Sequence, residues 1–170
     1  MARLTVSFRP GRCDQSPGRE LLIELIAHLN SIYPGRAARP GSVTTPGELA
    51  SPHGAFLLGC ESGRAIACGG LRRLEDRVCE IKRMYVVPDA RSRGVGRALL
   101  EALEAAAGDA GYERLRLDAG PGQHHSRALF ASAGYIEIPA YNNNHIACYW
   151  GEKTLIVPSS NALTVSTYHA

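Results

Sequence analysis

No apolar run in this chain approaches the ~20 residues that a membrane-spanning helix needs. The N-terminal stretch MARLTVSFRP lacks an apolar core segment, so no signal peptide is expected there. The five cysteines (Cys13, Cys60, Cys68, Cys79 and Cys148) are odd in number, irregularly spaced and form no C-x-x-C pair. They read as reduced, mostly buried thiols rather than a disulfide framework. The net charge is only +3, too small for a general nucleic-acid surface. No Gly-Lys-Ser/Thr sequence is present, which removes a P-loop. His124 and His125 are adjacent, and adjacent helical residues point about 100° apart, so they do not chelate together. His53 and His145 add no ligand spacing, and no metal is expected. These absences predict a cytoplasmic protein with neither a membrane nor a nucleic-acid partner.

What is present is one domain's worth of chain: 170 residues, 45% of them apolar. A single domain is expected over residues 1–157, with a polar, unpatterned tail over 158–170 that should be loosely held. The basic charge is concentrated. Arg72, Arg73, Arg77, Lys82, Arg83, Arg91, Arg93 and Arg97 fall within 26 residues, a local field suited to a polyanion.

Leu4 to Phe8 alternates and predicts a first strand. Leu22, Leu25, Ile26 and Leu29 mark an amphipathic helix that begins at Ser16-Pro17 and stops near Tyr33-Pro34. Residues 35–52 read as a loop with a helical turn near Glu48. Ala55–Cys60 and Arg64–Leu74 form strands joined at Glu61-Ser62-Gly63, with Gly69 and Gly70 expected at a bend or bulge. Val78–Val87 is the central strand, ended by Pro88. The next helix spans Val95 to about Ala110, with Val95, Leu99, Leu103, Ala106 and Ala110 on one face and Gly111 as its stop. A short strand at Leu115–Asp118 makes the strand–helix–strand unit a right-handed parallel crossover. A helix over Gln123–Ala133 and a last strand within Ile146–Val157 complete the pattern.

The segment Glu80–Arg97, EIKRMYVVPDARSRGVGR, carries the most information. A strand ends at a proline, a basic turn follows, and two glycines open a helix. Backbone amides of the turn and the positive end of the helix together make an anion cradle. Gly94 and Gly96 have no Cβ, so a ligand can lie against the backbone. Arg91, Arg93 and Arg97 would repel one another unless an anion lay between them. A dinucleotide fingerprint, G-x-G-x-x-G/A, is nearly met, but Leu99 blocks its last position and six residues separate Val87 from Gly94.

The spacing Arg91-x-x-Gly94-x-Gly96 in this context resembles the acetyl-CoA signature of the GNAT superfamily of N-acetyltransferases. The run from Ala128 to Tyr135, ALFASAGY, resembles that superfamily's second landmark. The resemblance implies an α/β fold with a mixed, splayed central sheet and flanking helices. It implies acetyl-CoA as co-substrate, with its diphosphate on the amides from Ser92 through Val95 to Arg97 and its pantetheine arm along Met84, Tyr85, Val86 and Val87. A backbone N–H of Tyr85 or Val86 would polarise the thioester carbonyl. It also places Gln123, Ala128 and Phe130 at cofactor contacts. Phe130 stands where many members have a tyrosine taken to protonate the departing thiolate, a role a phenyl ring cannot fill. Tyr141 is then the expected acid, with Tyr149 behind it; water or the ammonium proton is the other source. Glu80 is the expected base and Asp118 the runner-up, with a salt bridge from Glu80 to Lys82 or Arg83 as the structural alternative. Tyr141-Asn142-Asn143-Asn144 reads as a polar turn or as an acceptor contact.

These readings predict direct acetyl transfer, in a ternary complex, to the primary amine of a small molecule or peptide. The absence of the tyrosine at Phe130 keeps a second expectation open, a non-catalytic acyl-CoA sensor. Similar proteins are often dimers, so a homodimer is possible, although no dimer surface is legible.

Overall fold

The computed structural model describes residues 5–35 and 44–156; Leu4, Val157 and the expected tail lie outside the described residues. The elements are β1 (Ser7–Pro10), α1 (Gly18–Ile32), β2 (Ala55–Glu61), β3 (Arg64–Glu75), β4 (Val78–Val86), α2 (Val95–Asp109), β5 (Arg114–Ala119), α3 (His124–Ser132), β6 (Ile136–Glu137) and β7 (Tyr149–Thr154). A single 3-10 turn at Pro88–Ala90 follows β4. One sheet runs β1-β2-β3-β4-β5-β7-β6. Only β4 and β5 pair in parallel; the other neighbours are antiparallel. This is the expected mixed sheet with flanking helices. No helix among the described residues is long and apolar enough to cross a membrane.

The parallel ladder is short. It joins Val78 to Arg114, Cys79 to Leu115 and Glu80 to Arg116, and there it stops. β4 continues to Val86 and β5 to Ala119, so the two strands part and leave one side of β4 uncovered. The other side of β4 stays on β3 through a bulge: Cys68 pairs with Tyr85 and Gly70 with Lys82, so Gly69 faces both Arg83 and Met84. Arg83 takes φ +59° at this point. A side chain at Gly69 would strike Leu103, its Cβ standing 2.7 Å from Cδ1, so the bulge requires glycine beneath α2.

Helix α2 buries Val95, Leu99, Leu100, Leu103 and Ala107. The stripe therefore ends at Ala107 rather than at the expected Ala106 and Ala110, because the chain leaves the helix at Ala110. Its end is a Schellman motif: Tyr112 N–H donates to Ala107 O (3.0 Å), Gly111 N–H to Gly108 O (3.0 Å), and Gly111 has φ +85°. α3 ends the same way, with Tyr135 N–H on Phe130 O, Gly134 N–H on Ala131 O and Gly134 at φ +92°. The Phe130 and Tyr135 rings, 6.0 Å apart, supply the hydrophobic contact that accompanies this motif. The first strand lies at Ser7–Pro10 rather than Leu4–Phe8, and the last is confined to Tyr149–Thr154. β6 was not expected; two residues paired to Glu152 and Gly151 carry no periodic signal.

Cys68 and Cys79 lie in the core. Burial pushes both thiols from 9.0 up to about 12. The unfolded chain gives up these protons first, so their stabilising contribution is complete below about pH 9 and is lost as pH rises toward 12. The urea midpoint should fall between pH 9 and pH 11 by an amount that the Cys68→Ala/Cys79→Ala variant reduces. An equal fall in that variant would refute the assignment.

Candidate active site

The turn after β4 has its amides available. Those of Ser92, Arg93, Gly94, Val95, Gly96 and Arg97 make no hydrogen bond of ordinary geometry to a described residue. Gly94 is the N-cap of α2, at φ +83°, and no side chain caps the helix. Ser92 is also left-handed, at φ +58°. The backbone is thus already bent into a concave set of donors at the positive end of a 15-residue helix. This arrangement fits a diphosphate. Arg91 to Gly94 and Arg97 are solvent-exposed, so the bend is open to a nucleotide-sized group.

The three arginines of the turn are engaged elsewhere within the fold. Arg91 Nε donates to Val86 O (2.9 Å), and its guanidinium lies 5.6 Å from the centre of the Tyr85 ring. Arg93 pairs with Glu61 at 2.6 Å, and Arg97 donates to Ser132 Oγ. Mutual repulsion is therefore relieved by protein partners, which the sequence did not reveal.

Along β4, Val87 N–H donates to Ile66 O (3.0 Å), toward β3. By strand alternation Tyr85 N–H also faces β3, whereas the amides of Met84 and Val86 face the side from which β5 has departed. The arm-binding strand expected over Met84–Val87 thus has an edge without a partner strand, on which Arg91 occupies Val86 O, and of the two amides considered for the carbonyl, Val86 is on that edge. Gln123 uses its side-chain oxygen to accept from Gly120 N–H (2.8 Å). Ala128 is exposed on α3, whereas Phe130 is buried against Tyr135.

Glu80 and Tyr141, far apart in sequence, are in contact. Glu80 is 0% exposed. Its Oε1 accepts from Tyr141 Oη (2.7 Å) and Asn142 Nδ2 (3.0 Å) and lies 3.0 Å from Lys82 Nζ. Its Oε2 accepts from Arg72 Nε at 2.6 Å. A substrate amine cannot touch this carboxylate directly. Of the two cations weighed for the structural alternative, Lys82 is the partner and Arg83 is not; Arg72 joins it. Burial, and next the Glu80 charge, push the Tyr141 phenol far above its ordinary value, so it holds its proton toward Glu80.

Asp118 completes the cluster where the strands have parted. Its Oδ2 accepts from Lys82 (3.1 Å) and Asn142 (2.7 Å), its Oδ1 from Asn144 (3.1 Å), and its side chain keeps 10% exposure. Trp150 Nε1 donates to Asn142 Oδ1 (2.9 Å) and fixes that amide. Sequence reasoning missed Arg72 and Trp150. The signal for the cluster was Glu80 and Lys82 on one parity of an apolar strand; nothing local indicated that the asparagines would reach it.

Comparison with known proteins agrees with this geometry. Residues 22–135 match the model of the Acetyltransferase (GNAT) family. The IAA acetyltransferase of Azospirillum brasilense is 34% identical over 119 residues, spanning 69% of this chain and 76% of that protein. A putative acyl-CoA N-acyltransferase from Klebsiella pneumoniae superposes with a TM-score of 0.72 at 25% identity, covering 89% of this chain and 99% of the other. A GNAT family acetyltransferase from Elizabethkingia anophelis with acetyl-CoA bound shares the fold, with a TM-score of 0.63 at 17% identity over 90% of this chain and all of that one. With its splayed sheet and open anion cradle, the chain belongs to the GNAT family of acetyltransferases.

Proposed function

We propose that the protein moves an acetyl group from acetyl-CoA to a primary amine, by direct attack in a ternary complex. The observation that carries this reading is the pairing of an uncapped α2 N-terminus with the edge of β4 that has no partner strand beyond Glu80. Acetyl-CoA supplies the acetyl group as an activated thioester. The amides from Ser92 to Arg97 receive the diphosphate, and Arg91, Arg93 and Arg97 exchange their present partners for phosphate oxygens. The edge of Met84–Val87 holds the arm as an added strand, and Val86 N–H polarises the carbonyl. Ala128 and Gln123 border the arm from α3.

The amine loses its proton toward Asp118, through a water, as Asp118 keeps some solvent exposure where Glu80 has none. Glu80 serves as a positioning residue: it orients Lys82 and Asn142, both of which also touch Asp118. Tyr141 locks Glu80 in place. The departing thiolate takes its proton from water or from the attacking ammonium, which suffices because thiols titrate near ~8.5. Phe130 favours a second reading, an acyl-CoA sensor without turnover. Thiol release measured over a panel of amines, beside acetyl-CoA titration, separates the two: tight binding with no turnover on any amine supports the sensor.

Gly94→Asp should weaken acetyl-CoA binding by at least about a hundredfold, or ~2.7 kcal/mol, by placing a carboxylate in the cradle. Gly94→Asn, which tolerates the same φ without the charge, should lose far less. Equal losses in calorimetric titration would assign the effect to the backbone alone. Glu80→Gln should cost about 3–5 kcal/mol in urea denaturation, because Arg72 and Lys82 lose a buried partner. It should also lower kcat and shift the pH–rate profile. A destabilised enzyme with an unchanged profile would leave Glu80 a structural role only.

A further inference from the structure

Arg83 is a cation without a counter-charge. Its guanidinium makes no hydrogen bond or ion pair with any described residue, although it is half-buried. Arg72 and Lys82 beside it are both paired with carboxylates. Burial pulls its pKa down from 12.5, and no carboxylate acts against that. Placing a charge among apolar groups without a partner is costly, and a fold retains it most readily where a ligand supplies the missing charge.

The surroundings indicate the ligand's shape. Arg83 lines a cavity of about 200 Å³ with Cys13, Leu22, Ile26, Thr44 and Leu49. The walls are otherwise mainly apolar. Thr44 also lines it, but its Oγ1 is closed to solvent and so does not face the cavity. A guanidinium offers donors only, so it calls for an acceptor-only group of one negative charge.

The cavity also lies on the correct face. Tyr85 reaches Glu24 of α1 from β4 (3.2 Å), and Arg83, two residues earlier, meets Leu22 and Ile26 of the same helix. Leu49 packs over Gly70, which pairs with Lys82, so the cavity lies on the face of β4 that carries Lys82. Val86 is three residues farther along β4, roughly 10 Å at strand spacing. A molecule anchored at Arg83 therefore reaches the parted strands with its other end.

We propose that Arg83 anchors the carboxylate of the acceptor, and that the acceptor is an amine joined to that carboxylate through an apolar body. The inference rests on the acetyl-transfer reading above and names its substrate class.

The test is isothermal titration of the full chain with 4-phenylbutyrate and with its uncharged amide. The wild-type protein should bind the carboxylate at least tenfold more tightly. Arg83→Gly should abolish that preference; glycine is at ease at φ +59°, so the backbone is not strained. Arg83→Lys should keep part of it. Arg83→Asn, which also tolerates φ +59° and carries no charge, should lose the preference and serves as the deciding variant if Arg83→Gly does not fold. Equal binding of the two probes, binding of neither, or a preference that survives in Arg83→Gly would overturn the proposal. Acetyl-CoA titrated into the same proteins keeps the two readings apart. If the wild-type protein does not bind it, the transfer reading fails while the anchor is judged on the carboxylate probe alone.

Discussion

The parting of β4 from β5 after three paired positions is the constraint on which the rest of this structure depends. A parallel ladder that stops leaves backbone donors and acceptors without partners, which a fold tolerates only where water or a ligand meets them. Here the gap is bridged by side chains rather than left bare. Lys82 on β4 and Asp118 on β5 meet at 3.1 Å across the opening, and Glu80 closes its narrow end with full burial and four donors. A buried carboxylate with this many partners is strongly position-fixing, because removing any one of them exposes an unmet charge. The same side chains that bridge the opening also furnish its polar chemistry.

The fold was largely legible in the sequence because its signals are local. Strand alternation, the Leu99–Leu103 stripe and the glycines at 111 and 134 each report a backbone conformation at their own position. The cradle was legible for the same reason, as its donors are consecutive amides. The bulge was signalled by Gly69-Gly70, and the structure gives the cause in the approach of Leu103. β6 was illegible, since two residues do not make a period.

The polar cluster at the opening was legible only by half. Glu80, Lys82 and Asp118 announced themselves as charges within largely buried strands. Their partners did not, because Arg72 arrives from β3 and Asn142 and Asn144 from a turn more than twenty residues beyond β5's end at Ala119. Whether a carboxylate is available as a base depends on how many donors converge on it, a three-dimensional count that no spacing encodes. Tyr141 illustrates the point: no local signal showed that its hydroxyl would donate to Glu80, as the structure has it.

The pre-engaged arginines of the turn carry a consequence for ionic strength. Arg93 is paired with Glu61 and Arg97 with Ser132, so under the proposed cofactor binding each would leave that partner for a phosphate. Occupation of the cradle is therefore an exchange of partners, in which one ion pair is broken as another forms. Added salt weakens the pair that is lost as well as the one that is gained, so the attraction should depend on electrolyte less steeply than three arginines side by side would suggest.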